Sequence, residues 1–206
     1  VWQTFNAGSA WVDIQGITAH PMSSKGQLLN PILVAHDFIG MLDRGQTPEF
    51  TDKTEGFVWV NGIQGGPAKC RVSLKLRDHS LKRYEEKKTL IRAIVDCLRV
   101  RYPRAKINLT IEDVYGNIAD AIKPENSACI DMLRRAMEIE HVTVKDIAMR
   151  GGTDGSFIST QGIPTPNYFT GAHNFHSACE FMPMSSWLKS LAVTLRLVEL
   201  AAGVTK

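Results

Sequence analysis

The segment CRVSLKLRD, residues 70–78, alternates strictly between apolar and polar side chains, and it decides how the first half of the chain is interpreted. Successive side chains of a strand point to opposite faces of a sheet, so this alternation predicts a strand with one buried face. Shorter segments of the same kind predict three more strands, at residues 10–16, 57–60 and 107–111.

Two helices are predicted between these strands. Asn30 suits the cap and Pro31 the first position of a helix that ends near Gly45. Ser80 begins a charged helix that continues to about Tyr102, and its run of charges is expected to be a solvated face. We expect these helices to bury Leu33, Phe38, Met41 and Leu42 in the first and Leu90, Ile94, Cys97 and Leu98 in the second. The order β-α-β-β-α-β predicts an α/β fold whose first module has two layers, with helices on one face of an antiparallel sheet.

The pattern changes after residue 117 to an alternation of helices and strands, which is typical of an α/β layer with functional loops at strand ends. The predicted domains are therefore residues 1–117 and 118–206. In the second domain we expect helices at 124–139, after the glycine-rich turn near Asp154 and at 185–202, and strands at 142–149 and 164–169.

The composition excludes several classes of protein. The chain has 206 residues, 44% of them hydrophobic and 22% charged, as is ordinary for a soluble globular protein. A net charge of +3 without a basic cluster among aromatics argues against nucleic acid as a partner. No apolar run approaches the roughly 20 residues of a membrane span, so no membrane partner is expected. The cysteines form no Cys-x-x-Cys pair, which argues against a structural zinc knuckle and fits free thiols in a reducing cytoplasm.

The last third of the chain contains the motif RGGTDG at residues 150–155. Arg150 offers a fork of donors for a carboxylate or phosphate, and the glycine pair lets backbone approach a ligand closely. The alternatives for Arg150 are ion pairs with Asp154 or Asp146. Asp154 is itself a candidate cap of the helix that begins there.

A second motif, HNFHSACE, follows at residues 173–180. His176 is the best candidate metal ligand, because neutral imidazole in a polar loop is the commonest zinc ligand. A surface histidine is the alternative. His173 is a neighbour or a group that supports a ligand, and Glu180 is a ligand, a supporting acceptor or a helix cap.

Four other positions carry side chains that could take part in chemistry. His20, before a proline in a loop, offers a donor for a developing oxyanion, although a surface loop histidine is the simpler interpretation. Arg77 alone would be an ordinary residue at a strand end. Ser156 and Cys179 lack the glycine elbow of serine or cysteine hydrolases, so nucleophilic hydrolysis is disfavoured.

Nearly the whole chain resembles the zinc-dependent exopeptidase family, which includes tripeptide aminopeptidases, carboxypeptidase G and the aminoacylases. The tripeptide aminopeptidases resemble it most. The order and spacing of several short motifs support the resemblance: HP at 20–21, KG at 25–26, LRD at 76–78, IED at 111–113, RGGTDG at 150–155 and NFH at 174–176.

This resemblance implies a lid module, residues roughly 7–115, inserted into a zinc-binding catalytic domain. It implies a cytoplasmic zinc aminopeptidase that releases the N-terminal residue from tripeptides, using two zinc ions, a bridging water and a glutamate base. By position, His176 would ligate one zinc, and His20 would stabilise the oxyanion. Arg77, Arg150 and Asn30 would bind the small peptide substrate, and the lid implies a homodimer.

The resemblance also implies that the other zinc ligands and the base belong to a segment that precedes the lid and is missing from this sequence. The chain is therefore expected to be the C-terminal half of such an enzyme, inactive alone. Two alternatives remain: a non-catalytic lid or dimerisation fragment, and a related amidase that acts on N-acyl amino acids.

Overall fold

The computed structural model describes residues 2–203, and its contacts divide the chain into two compact units. The first, which we call the sheet unit, consists of residues 5–117 and 150–152. The second, the helical unit, consists of the described residues among 1–4, 118–149 and 153–206. The division falls after residue 117, and it assigns residues 2–4 to the helical unit and residues 150–152 to the sheet unit.

The sheet unit has four antiparallel strands in the spatial order β2-β3-β1-β4. They are β1 (Asn6–Gln15), β2 (Phe57–Gly65), β3 (Lys69–Asp78) and β4 (Lys106–Tyr115). Helix α1 (Pro31–Gly40) follows β1, and helix α2 (Leu81–Arg101) follows β3. The predicted β-α-β-β-α-β order and two-layer architecture are confirmed, because both helices join alternate residues of the strands in one buried core.

Helix α1 buries a narrower stripe than predicted. Val34, Ala35 and Phe38 are buried, whereas Leu33 and Met41 are 61% and 42% exposed, so the prediction was wrong for these two. Residues spaced three and four apart share one face of a helix, and the stripe that begins at Pro31 excludes Leu33. Met41 is exposed because it follows the last residue of the helix. The helix also ends at Gly40 rather than near Gly45.

The buried face of α2 agrees with the prediction at Ile94 and Leu98 but not at the other two predicted positions. Ile91, Ile94, Val95 and Leu98 are buried, whereas Leu90 and Cys97 are exposed, contrary to the prediction. Two lysines of its charge run, Lys87 and Lys88, are also buried, at 8% and 6% exposure. They are buried because their ammonium groups pair with carboxylates, Lys87 with Asp78 and Lys88 with Asp113.

The helical unit contains α3 (Ile118–Ala121), α4 (Ala128–Ile139), α5 (Asp154–Thr160) and α6 (Met184–Ala201). Its small core joins Leu133, Ala136 and Val193 with partly buried Tyr168 and Phe169. The strands predicted at 142–149 and 164–169 were wrong, since neither forms in the described part of the chain. A strand needs a neighbour to pair its backbone, and here only an isolated parallel bridge forms, between Gln3 and Ala148.

Of the helices within residues 2–203, none combines the length and the apolar character that crossing a bilayer requires.

Candidate functional site

Arg150 lies at one end of the sheet unit, where its guanidinium is held by the loop before β2. Its Nη1 donates to the carbonyl of Glu55 at 2.7 Å and to that of Lys53 at 3.4 Å, and its Nη2 donates to the hydroxyl of Thr51 at 2.8 Å. The alternative ion pair with Asp146 is wrong, because Asp146 accepts a hydrogen bond from Arg134 at 2.7 Å instead.

Two aromatic rings contact the same guanidinium. The Cζ of Arg150 lies 5.4 Å from the ring centroid of Phe5 and 5.6 Å from that of Phe57. The rings themselves meet edge to face, with centroids 5.6 Å apart. Guanidinium groups are attracted to aromatic faces, so these rings hold the plane of Arg150 while the loop accepts its hydrogen bonds.

Arg77 lies at the same end of the sheet, on β3. Its Nη1 donates to the carbonyls of Gly8 at 2.8 Å and Leu76 at 2.7 Å, and its Cζ lies 5.6 Å from the centroid of the Tyr115 ring. That ring also contacts Gly152 so closely that a Cβ there would lie 2.1 Å from the tyrosine Cζ. A glycine is therefore required where the Arg150 segment passes the ring.

One backbone bond and one strand pairing bring these arginines together. The amide of Phe5 donates to the carbonyl of Gly151 at 3.1 Å, which ties the Arg150 segment to the start of β1. Phe57, whose ring contacts Arg150, is the register partner of Arg77 across β2 and β3. The sheet unit thus collects two cationic side chains, aromatic rings and a glycine-rich backbone at one end.

His20 and Asn30 lie at the other end of the sheet. Ile17, just beyond the last residue of β1, pairs with Leu29, so His20 lies in the loop that this bridge closes and Asn30 directly follows it. A strand rises about 3.3 Å per residue, so the stretch from Phe5, which contacts Arg150, to Ile17 spans roughly 35–40 Å. Within one sheet unit, the structure does not bring these two residues to the arginines.

Both residues hold the backbone in their local structure. The side-chain oxygen of Asn30 accepts a hydrogen bond from the amide of Ile32 at 3.0 Å, which makes Asn30 the N-cap of α1, as the sequence predicts. His20 precedes a short 3-10 turn, and its Nδ1 accepts from the amide of Met22 at 3.2 Å. The Nδ1 of His20 is therefore an acceptor, and any donation to a ligand comes from Nε2.

His176 lies in a loop of the helical unit, with a backbone φ of +64°. Its amide donates to the carboxylate of Glu180 at 3.0 Å, so Glu180 stabilises this left-handed turn. His173 instead pairs its backbone with Phe181 and stacks on that ring, with centroids 5.2 Å apart. Within residues 2–203, no group of three His, Cys, Asp or Glu side chains is placed to hold a metal ion. The residues described here therefore do not make a complete metal site.

Asp154 is the first residue of α5, and Thr153 is the residue at its N-cap position. The amide of Thr153 donates to the hydroxyl of Ser156 at 3.2 Å, and the Asn167 amide nitrogen donates to the Thr153 hydroxyl at 2.9 Å. The candidate cap role of Asp154 was therefore wrong by one residue. Ser156 has a structural role, because its hydroxyl is buried and bonded.

Sequence reasoning missed two carboxylates that pair with lysines of α2: Asp78, which is buried, and Asp113, whose side chain is 64% exposed. Burial raises the pKa of Asp113, but hydrogen bonds from the Tyr84 hydroxyl and the Lys88 ammonium outweigh burial and leave this pKa below its usual range. The pKa of Tyr84 is raised mainly by burial and, to a smaller extent, by the hydrogen bond to Asp113. The one available signal was Asp113 itself, which stands beside Tyr115 at the end of an alternating segment. The role of Thr51 gave no signal, because residues 46–56 look like an ordinary polar loop.

These features define the chain as an α/β protein whose βαββαβ sheet unit has an arginine-containing site at one end. It belongs to the peptidase dimerisation domain family, whose model matches residues 3–106.

Two curated relatives align along almost the whole chain. A peptidase T-like protein of Yersinia pestis is 45% identical over 94% of this chain and 47% of its own length. The peptidase T of Halothermothrix orenii is 37% identical over 98% of this chain and 49% of its own length. The chain thus spans about half the length of the curated relatives it matches.

Solved structures share the fold. A tripeptidase from Staphylococcus aureus superposes on 98% of this chain and 53% of its own, with a TM-score of 0.77 and 21% identity. A dinuclear metal-binding peptidase from Bacillus subtilis superposes on 98% of this chain and 51% of its own, with a TM-score of 0.68 and 12% identity. At these identities the likeness shows the fold alone.

Proposed function

We propose that this chain is part of a cytoplasmic, zinc-dependent aminopeptidase that releases the N-terminal residue from tripeptides. The observation that supports this most is the 45% identity to a peptidase T-like protein, which extends over 94% of the chain. In this proposal residues 1–117 form the lid, or dimerisation, module, and residues 118–206 form part of the catalytic domain.

The arginine end of the sheet unit is suited to the carboxylate of a short peptide. Arg77 and Arg150 place two permanent positive charges at this end of the sheet unit. Guanidinium groups bind carboxylates through two parallel hydrogen bonds, which fix both the position and the direction of a peptide. We therefore assign substrate binding to Arg77 and Arg150, with Arg150 on the carboxylate.

His20 and Asn30 require a second copy of the chain if they act on the same substrate. An extended tripeptide spans at most about 10 Å, whereas the stretch of sheet between the two ends is roughly 35–40 Å long. A homodimer in which each lid supplies His20 to the oxyanion and Asn30 to the peptide of its partner removes this mismatch. The family of the dimerisation domain supports such an assembly.

The exposed edge of the sheet offers a place for that contact. Strand β2 is an edge strand of the sheet. It exposes Trp59 and Ile63, at 48% and 54%, and α1 exposes Leu33 at 61%. An edge strand with exposed apolar side chains is a template for pairing with another chain.

The proposed metal site needs ligands beyond those described here. His176 is the residue we assign to one zinc ion, and the dinuclear site of the Bacillus subtilis peptidase supports a metal-dependent function. Because the described residues contain no complete site, we expect the chain alone to bind little zinc and to be inactive.

The first test uses the chain as it stands. Zinc is measured per chain after purification without chelator, and tripeptide hydrolysis is measured beside a His176→Ala control. We expect near-zero zinc and equal, negligible rates. One zinc per chain, or turnover clearly above the control, would show that this segment builds a site alone and would contradict the assignment of His176 to a shared site.

The second test uses the complete protein with tripeptides and N-acyl amino acids as substrates. Tripeptide turnover supports the proposal, whereas turnover of acyl amino acids alone identifies an amidase, and turnover of neither identifies a non-catalytic protein. Mixing His20→Ala and Arg150→Ala variants tests the shared site. Random exchange of subunits should restore roughly a quarter of wild-type activity, because half the dimers are mixed and one of their two sites is intact. No recovery after verified exchange would place both residues at one subunit's site.

A further inference from the structure

The hydroxyl of Thr51 occupies a defined position beside Arg150. Thr51 Oγ1 donates its single hydrogen to the carbonyl of Thr47 at 2.9 Å. A hydroxyl has one donor and two acceptor positions, so Thr51 can only accept from Arg150, and the Arg150 Nη2 lies 2.8 Å away. Thr51 is half-buried, whereas residues 52–55 are exposed.

The rest of the loop is held by its own hydrogen bonds. The amide of Glu55 donates to the carbonyl of Asp52 at 2.9 Å, and the amide of Asp52 donates back to the Glu55 carboxylate at 2.9 Å. Lys53 between them adopts a left-handed φ of +49°, and its carbonyl, like that of Glu55, accepts from Arg150. The two carbonyls therefore face the guanidinium from a closed turn.

Gly56 fixes the other end of the loop. A Cβ at this residue would lie 2.1 Å from the Oδ2 of Asp78, whose carboxylate is fully buried and bonded to Lys87. A glycine is therefore required at this position, because it lets the end of the loop pack directly against β3.

These contacts use only part of the guanidinium. Arg150 has five N–H donors, and the loop takes hydrogens of Nη1 and Nη2. Among the described residues, the Nε–H has no partner. The edge formed by Nε and the second hydrogen of Nη2 is the one along which a carboxylate binds with two parallel hydrogen bonds.

We infer that Thr51 is a positioning residue, which turns the Nε–Nη2 edge of Arg150 toward the carboxylate of the peptide. This inference rests on the proposed function. The loop and the rings of Phe5 and Phe57 order the guanidinium before substrate arrives, so binding does not have to immobilise a flexible side chain.

The kinetic test compares Thr51→Val, which removes the hydroxyl at nearly constant volume, with Thr51→Ser, which keeps it. Thr54→Val in the exposed part of the same loop is the matched control. Each complete protein is assayed with a tripeptide and with its C-terminal amide. Losing one hydrogen bond to a charged group should raise the KM for the free acid on the order of tenfold. The kcat and the kinetics with the amide should change little, and Thr51→Ser and Thr54→Val should behave as wild type.

A second measurement does not depend on catalysis. In the chain itself, the NMR signal of the Arg150 Nε–H reports how well the guanidinium is ordered. We expect Thr51→Val to broaden this signal or speed its exchange, and Thr51→Ser to preserve it. An unchanged signal in Thr51→Val overturns the inference.

The kinetic outcomes separate the two proposals. Equal losses with the acid and the amide would show a merely structural role for Thr51 and would overturn the inference while leaving the peptidase proposal intact. If the wild type turns over neither peptide, the proposed function fails, and the assignment of a carboxylate to Arg150 fails with it. The positioning of Arg150 by Thr51 is then decided by the NMR measurement.

Discussion

Replacing Lys87 with methionine should destabilise the sheet unit strongly, because it leaves a buried carboxylate without its main partner. The Asp78 side chain is fully buried, and the Lys87 Nζ lies 2.8 Å from its Oδ2. The other carboxylate oxygen accepts from the Arg83 Nε at 3.1 Å and from the Ser80 amide at 2.9 Å. Methionine keeps most of the volume and the apolar stem of lysine but removes the charge.

The loss of stability in Lys87→Met depends on which partners of Asp78 stay in place. Removing one partner of a buried ion pair typically costs 3–5 kcal/mol. Arg83 stays in place, although its side chain is 53% exposed and therefore screened, so the lower end of that range, about 3 kcal/mol, is expected for Lys87→Met. With a urea m-value of about 2 kcal/mol/M, the unfolding midpoint should fall by roughly 1.5 M.

The assay is unfolding in urea, monitored by the hydrogen exchange of backbone amides in β3 and α2. These amides report the sheet unit separately from the helical unit. Lys82→Met is the matched control on the same helix. Its ammonium lies 3.9 Å from Glu86, and both side chains are mostly exposed, so it should change stability by less than about 0.5 kcal/mol. A loss below about 1 kcal/mol for Lys87→Met, or equal losses in the two variants, would refute the reasoning that Asp78 depends on Lys87.

Three further changes test other contacts. Gly152→Ala should cost about 2 kcal/mol by forcing a Cβ into the Tyr115 ring, whereas Gly66→Ala, with no atom near its Cβ position, should be almost neutral in the same urea titration. Asn30→Ala should cost about 1 kcal/mol through loss of the α1 cap, and Asn30→Asp should restore the melting temperature; failure of Asp to do so would argue against capping. Asp113→Asn should destabilise the protein at pH 7 and have less effect near pH 2. The pKa of this carboxyl is lower in the folded state, so its contribution is complete above the unfolded value of about 3.9 and is lost as the pH falls through the folded one. Equal effects of Asp113→Asn at both pH values would contradict this.

The sheet unit could be predicted from sequence because its signals are local. Strict alternation at residues 70–78 predicts a half-buried strand, and the Asn30-Pro31 pair predicts the start of a helix. Both predictions depend only on the local geometry of the chain. The phase of a helix is less well determined. Leu90 and Ile91 are neighbours of similar hydrophobicity, and only the position of the sheet selects Ile91 for the core.

The burial of Lys87 and Lys88 could not be predicted for a related reason. Each lysine depends on a carboxylate from a strand, Asp78 and Asp113 respectively, which are 9 and 25 residues away in sequence. A run of charges on a helix is usually solvated, and it becomes buried only where the fold provides opposite charges. The failed strands at 142–149 and 164–169 show the same limit, since pairing depends on a neighbour that a local pattern does not contain.

The motif RGGTDG shows how local and tertiary information combine at the candidate site. As a sequence, it indicated a site for a carboxylate or phosphate, made by an arginine and a glycine pair. In the structure, residues 150–152 pack within the sheet unit, whereas Asp154 begins α5 in the helical unit. Gly152 therefore serves a packing requirement, because the chain must pass the Tyr115 ring at this residue. Arg150 keeps its predicted suitability for a carboxylate, but its orientation depends on Thr51, a residue 99 positions earlier in the chain. The type and spacing of residues can indicate which ligand a site suits. The orientation of the side chain that binds this ligand is set by contacts that only the folded chain creates.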